Sequence, residues 1–118
     1  MKQFQGSCHC GAVSFSFPAE TIDKGLRCTC SMCVRKGAMM SAFVVAADEL
    51  KANLKSDALG CYQFGTNVAK HYFCKNCGIY TFNETLRMPG KFRVNLGCVD
   101  GVDPMALEAD VFDGKNLI

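Results

Sequence analysis

Seven cysteines of the chain fall into three tight groups. Cys8-His9-Cys10-Gly11 carries two, Cys74-Lys75-Asn76-Cys77-Gly78 carries two, and Cys28-Thr29-Cys30-Ser31-Met32-Cys33 carries three. Thiolates two or three positions apart can turn toward one shared soft cation, a spacing that suits a conventional disulfide framework poorly. Cys-x-x-Cys followed by glycine is a zinc-knuckle pattern. The turn aims both sulfurs at the ion, and the glycine takes positive φ so that amide hydrogens approach them. The pairs Cys8/Cys10 and Cys74/Cys77 together complete a tetrahedral four-thiolate shell with no open position, which is a structural site. The competing reading is four buried core cysteines. His9, between two of these ligands, reads as solvated or as lying beside the ion rather than as a fifth ligand.

Cys28, Cys30 and Cys33 supply three sulfurs. Four ligands close a zinc shell, whereas three leave a position for water or substrate, which is the ligand count of a catalytic site. Zinc in a three-thiolate shell has a net charge near −1, a weak Lewis acid but a good holder of an exchangeable thiolate, so thiol chemistry is favoured over hydrolysis. A fourth protein ligand would make this site structural too, and Cys61, Cys98 and His71 are the candidates. A disulfide between two of the three is a further, redox reading. Cys61 and Cys98 otherwise lie in apolar stretches where cysteine packs as a small hydrophobe. His71 alternates with Phe73 on a strand leading to the knuckle, facing the second site or serving as a satisfied structural histidine. Arg35 and Lys36 follow the triad directly. They read either as a solvated helix face or as cations attracting an anionic thiol such as glutathione.

Nine cysteines among 118 residues is an odd number, which fits complete disulfide pairing badly. Residues Met1 to Cys8 have no apolar run of signal-peptide length, and no stretch is long enough to span a membrane. These features point to the cytoplasm, where thiols stay reduced. The formal charge of +2 counts every cysteine as a neutral thiol. Ionising seven thiols and adding two divalent ions lowers it by three, to about −1. The basic pI is therefore no argument for nucleic acid, and no Lys/Arg run supplies one.

The elements that must position these residues read as mostly β with short helical turns, in a single zinc-binding domain over residues 1–118. A domain of this size buries only about two-thirds of its unfolded surface, so a metal cross-link would help it. Ala12 to Phe17 alternates as a half-buried strand ended by Pro18. Met40 to Ala46 reads as a more buried strand, and Asp48-Glu49-Leu50 as a helical turn. Leu59 to Phe64 and Ala69 to Phe73 form a hairpin about Gly65-Thr66-Asn67. Ile79 to Phe82 and Phe92 to Val99 are further strands, with a turn at Met88-Pro89-Gly90. Ser31 is the expected cap of a short helix running through Lys36 and stopped by Gly37.

In order, spacing and accompanying glycines, three segments resemble the glutathione-dependent formaldehyde-activating enzyme family, with which centromere protein V is also grouped. They are Gly6-Ser7-Cys8-His9-Cys10-Gly11-Ala12-Val13, Cys28-Thr29-Cys30-Ser31-Met32-Cys33 with Gly37, and Phe73-Cys74-Lys75-Asn76-Cys77-Gly78. Val94-Asn95-Leu96-Gly97 resembles a late strand of that family. The resemblance runs from Gly6 to about Asp100. It implies a β-tent fold, a four-cysteine structural zinc and a three-cysteine catalytic zinc. It also implies the joining of glutathione and formaldehyde into S-hydroxymethylglutathione, classed with the carbon–sulfur lyases. Many relatives carry a tryptophan near the C-terminus, whereas Phe112-Asp113-Gly114-Lys115-Asn116 stands there in this chain. Two other classes of function remain: a zinc-stapled binding module without catalysis, and a cysteine-based reductase on a similar scaffold.

Overall fold

The computed structural model describes residues 1–117. Eleven strands form three sheets. The first sheet contains β1 (Lys2–Ser7), β2 (Val13–Ala19) and β6 (Lys51–Leu54), ordered β1-β2-β6. The second contains β5 (Val45–Ala46), β7 (Leu59–Tyr62), β8 (Lys70–Cys74), β9 (Tyr80–Glu84) and β10 (Lys91–Val94), ordered β5-β10-β9-β8-β7. The third joins β3 (Lys24–Cys28), β4 (Met40–Ser41) and β11 (Glu108–Phe112), ordered β11-β3-β4. Two short helices, α1 (Ser31–Lys36) and α2 (Gly114–Leu117), complete the pattern with two 3₁₀ turns. The mostly β reading is borne out, and among the described residues no helix is long and apolar enough to cross a membrane.

The period-two alternation of β2 explains the core. Val13, Phe15, Phe17 and Ala19 are all buried, with Ser14, Ser16 and Pro18 between them on the opposite face. Phe15 meets Phe82 of the second sheet edge-on at 5.6 Å, and Phe17 lies 6.0 Å from Phe43. Val94 and Leu96 close the same cluster. Tyr72, Phe82 and Phe92 form an aromatic group across β8, β9 and β10. These contacts bind the first and second sheets face to face.

Several boundaries differ from the sequence expectation. Pro18 does not end β2; the strand runs on to Ala19. Its neighbour β6 pairs only with Val13 to Ser16, so Pro18 sits where β2 has become an edge and a missing N–H is tolerated. The stretch Met40 to Ala46 is two short strands in different sheets, separated by a bend at Ala42 and Phe43. The Ser41 hydroxyl, which donates to the Phe43 carbonyl at 2.8 Å, holds that bend. The strand expected over Phe92 to Val99 ends at Val94 and gives way to a 3₁₀ turn over Leu96–Cys98. There the Asn95 side chain accepts the Gly97 amide at 3.0 Å, a local bond that competes with continued extension. The hairpin of β7 and β8 forms as expected, with Tyr62 opposite His71. β1, β3, β6 and β11 carry no local signal strong enough to mark them. The pairing of β3 with β11 is parallel, between segments more than 80 residues apart.

Gly60 on β7 packs directly under the Phe73 ring of β8, where a Cβ would collide with the aromatic carbons. Gly60→Ala is therefore expected to destabilise the fold by about 1–3 kcal/mol, read as a fall in Tm. Cys61→Ser, at the exposed position beside it, is expected to change stability by less than about 0.5 kcal/mol.

Candidate active site

Two hairpin turns create the first cysteine cluster. β1 and β2 pair from Lys2–Ala19 to Ser7–Ser14, so residues 8–12 are their turn. β8 and β9 are joined by residues 75–79. Gly11 (φ 82°) and Gly78 (φ 80°) both adopt the left-handed conformation that such knuckles require. The Gly78 amide donates to the Cys74 carbonyl at 2.8 Å, which folds the second turn back on itself. The four sulfurs of Cys8, Cys10, Cys74 and Cys77 lie within 4.8 Å of one another. Cys8–Cys10 is 3.7 Å and Cys10–Cys74 is 3.6 Å. A zinc–sulfur bond of about 2.3 Å in a tetrahedron demands sulfur separations of about 3.8 Å. The spacing is therefore that of ligands sharing an ion.

The electrostatics agree. The backbone amides of Cys10 and Ile79 pull the Cys77 thiol down to about 6. At Cys10 the Ala12 amide acts in the same direction but is outweighed by desolvation and the neighbouring thiols, and the group rises to about 11. Thiols this close cannot all ionise against one another, and a divalent cation at their centre removes the conflict. Cys8 also accepts the Val13 amide at 3.4 Å.

The second cluster is local. Cys28 ends β3, Cys30 caps α1, and Cys33 lies in its first turn. The cap is Cys30 rather than the expected Ser31, because the Cys30 sulfur accepts the Cys33 amide at 3.4 Å. Gly37 ends the helix at φ 67°, as the sequence indicates. The three sulfurs lie within 4.8 Å of one another, and no fourth His, Cys, Asp or Glu among the described residues joins them. Burial pushes Cys33 up to about 12 although Lys36 pulls it the other way. The arrangement can hold a metal ion and leaves its shell open.

The three candidate fourth ligands lie elsewhere. Cys61 is exposed on the edge strand β7. The Cys98 thiol donates to the Tyr80 carbonyl at 3.6 Å, and burial raises it to about 11, with Cys8 and Cys77 adding to the rise. Cys98 thus neighbours the first cluster. His71 lines the cavity beside the triad, with its Nδ1 2.7 Å from the Tyr80 hydroxyl. Burial, aided by Lys36, lowers His71 to about 4, so it is neutral at pH 7. His9 is exposed in the first turn.

A cavity of about 720 Å³ opens beside the triad. One wall is the third sheet with α1; the other is the face of the second sheet opposite the aromatic core. On that face His71, Asn83 and Arg93 sit directly across from one another on β8, β9 and β10. Arg93 donates to the Ser41 carbonyl at 2.9 Å, which fixes its guanidinium between the sheets. Lys36 and Arg35 separate by helical phase. Lys36 is one turn from Cys33, lines the cavity and rests 4.3 Å above the Tyr80 ring. Arg35 is exposed and donates back to the Ser31 carbonyl at 2.9 Å. Arg87 and Lys115 also line the cavity, and among the described residues no carboxylate does. Arg93, Arg87 and Lys115 were not singled out in the sequence, because the cations belong to three segments that only tertiary pairing brings together.

The C-terminal segment forms the outer wall. Phe112 pairs with Cys28 across the parallel strands. Thr29, between two cysteines of the triad, donates its amide to the Phe112 carbonyl at 3.1 Å, and its hydroxyl accepts the Lys115 amide at 3.1 Å. Gly114 packs against the Cys28 sulfur, leaving no room for a Cβ.

The chain matches the glutathione-dependent formaldehyde-activating enzyme family over residues 3–115. It belongs to that family. A Rhodobacter sphaeroides protein of known crystal structure is 34% identical, with a TM-score of 0.80. The similarity covers 90% of this chain and 99% of that one. The segment Phe112 to Asn116 contributes Phe112, Gly114 and Lys115 to the cavity wall.

The two clusters differ in what they join. The first bridges turns 64 residues apart between Cys10 and Cys74, whereas the second lies within a single six-residue stretch. Closing the longer loop contributes more to folding. Cys77→Ser is expected to lower the Tm of the metal-loaded protein well below that of Cys30→Ser, as thermal melts of the two variants would show. Equal losses would mean that both clusters staple the fold. Mild chelation followed by metal analysis should remove the ion at the open cluster first, since an incoming chelator finds a free position there.

Proposed function

We propose that the protein is a zinc-dependent enzyme of thiol–aldehyde addition. It would join glutathione and formaldehyde, or a related aldehyde, into S-hydroxymethylglutathione, the reverse sense of a carbon–sulfur lyase reaction. One observation carries this reading: a three-sulfur cluster, one ligand short of a closed shell, opens onto a cavity of about 720 Å³. In this assignment Cys8, Cys10, Cys74 and Cys77 hold a structural zinc, and Cys28, Cys30 and Cys33 hold the catalytic one. Bound at the open cluster, zinc would favour the ionised form of an incoming thiol and polarise a carbonyl. The cytoplasm, where glutathione and protein thiols stay reduced, is the compartment that suits this chemistry.

The chain supplies the rest. Glutathione carries two carboxylates, and the cavity presents Lys36 and Arg93 within it and Arg87 and Lys115 on more exposed segments. Lys36, beside Cys33, also offsets the negative charge of the thiolates. Neutral His71, its Nδ1 engaged by Tyr80, adds no positive charge to repel Lys36. The reaction balances without a redox partner: the thiol sulfur bonds to the carbonyl carbon, the π pair moves to oxygen, and oxygen gains the proton that the thiol gives up. A thiolate adds to an unhindered aldehyde readily without help. The protein therefore contributes mainly by holding the partners together and raising the thiolate fraction.

Calorimetric titration of the zinc-loaded protein tests this. Glutathione is expected to bind, and S-methylglutathione to bind at least about tenfold more weakly, because a thioether cannot ionise. Equal binding of both compounds, or of neither, would reject the metal–thiolate reading and favour a zinc-stapled binding module.

A further inference from the structure

Charge accounts for only part of the cavity. Its wall is mostly hydrocarbon, contributed by Leu26, Met40, Leu86, Met88, Phe64 and Phe112. This surface begins at the reacting end, since Leu26 stands two residues before Cys28 on the same strand and both line the space. It ends at two loops, β7–β8 and β9–β10, where Phe64 and Met88 remain 43% and 42% exposed. Neither side chain belongs to the core or packs against it. Phe64 rests on the Tyr62 and His71 rings, with centroids 5.8 and 5.7 Å away, and still leaves apolar surface open, as does Met88 on the other loop. These two open surfaces around one cavity are what an apolar ligand would cover.

The substrates of the reaction proposed above offer nothing to cover them. Formaldehyde has no alkyl group, and glutathione presents carboxylates, amides and an ammonium. On the reading that glutathione is the thiol, we propose that the carbonyl partner is an aldehyde bearing an apolar alkyl or aryl group of about four to six carbons, laid along this wall. The bonding is that of the smaller aldehyde: sulfur to carbonyl carbon, π pair to oxygen, thiol proton to oxygen, and no change in oxidation state overall. The tail is attached to the carbon that bonds sulfur, so it starts where Leu26 and Met40 begin and extends toward Leu86 and Met88.

S-alkylglutathiones are unreactive mimics of such adducts and serve as probes. With the zinc-loaded protein, calorimetry of the S-methyl, S-propyl, S-butyl and S-hexyl compounds should show affinity rising by up to about fourfold per added methylene until the wall is covered. The rise should flatten in the double variant Phe64→Ser/Met88→Ser, with a thermal melt of the variant checking that the loss of the Phe64–His71 stacking leaves the fold intact. Exchange NMR with glutathione should give hexanal a larger kcat/KM than formaldehyde, and the variant should lower that ratio. A flat affinity series in the unmodified protein, or a slope unchanged in the variant, would overturn the inference. If glutathione itself binds while the series is flat, only this inference fails. If glutathione does not bind, the proposed reaction fails and takes the inference with it.

Discussion

Everything in this fold is referred to one distance, the separation of about 3.8 Å that four thiolates must keep around a shared ion. Two hairpin turns from different sheets meet that requirement at Cys8, Cys10, Cys74 and Cys77. The β1–β2 hairpin and the β8–β9 hairpin thereby meet tip to tip, where a shared ion would pin them, and their faces close on Phe15, Phe17 and Phe82. A chain of this length has little apolar area to spare, so a cross-link that holds the sheets in register supports packing the core alone would secure less firmly. Buried Cys8 and Cys74 belong to the core as well as to the four-cysteine cluster.

The second sheet then has a free face. Its inner face carries Tyr72, Phe82 and Phe92, and its outer face carries the row His71, Asn83 and Arg93. The third sheet stands opposite this row and brings the triad with it. The three-cysteine cluster, with Lys36 and Lys115 beside it, and the cations Arg93 and Arg87 therefore face each other from different sheets, and the cavity is the space between them. The Arg93 guanidinium reaches the Ser41 carbonyl of β4 and ties the two sheets together across the back of that space. Arg87, 5.2 Å from the Phe112 ring centre, ties them again at the mouth.

The parts of this design legible in the sequence are the local ones. Cysteine spacing, the knuckle glycines, the β2 alternation and the Gly37 stop each depend on a few neighbouring residues, and each is found as read. The boundaries that moved are those set by tertiary partners: Pro18 survives because the pairing of β6 with β2 ends at Ser16, and the stretch after Met40 breaks because two sheets claim its ends. The separation of Lys36 from Arg35 follows from helical phase relative to Cys33, a signal present in the sequence once α1 is placed. Arg87, Arg93 and Lys115 had no comparable signal. Their meeting depends on the register of β10 against β9 and on the parallel pairing of β3 with β11, and no local pattern encodes either.

That parallel pairing also sets an order of assembly. On a growing chain the N-terminal parts emerge first. Cys77 is made roughly thirty residues before β11 begins, so all four cysteines of the first cluster exist while the third sheet still lacks its outer strand. Cys28, Cys30 and Cys33 are available even earlier, yet Thr29 and the Cys28 sulfur gain their C-terminal wall only when Phe112 to Lys115 arrive. Until those residues arrive the triad lacks its outer wall and lies more open to any passing cation, oxidant or electrophile. The exposure falls on the three-cysteine cluster rather than the four-cysteine one, and it lasts until β11 is laid against β3.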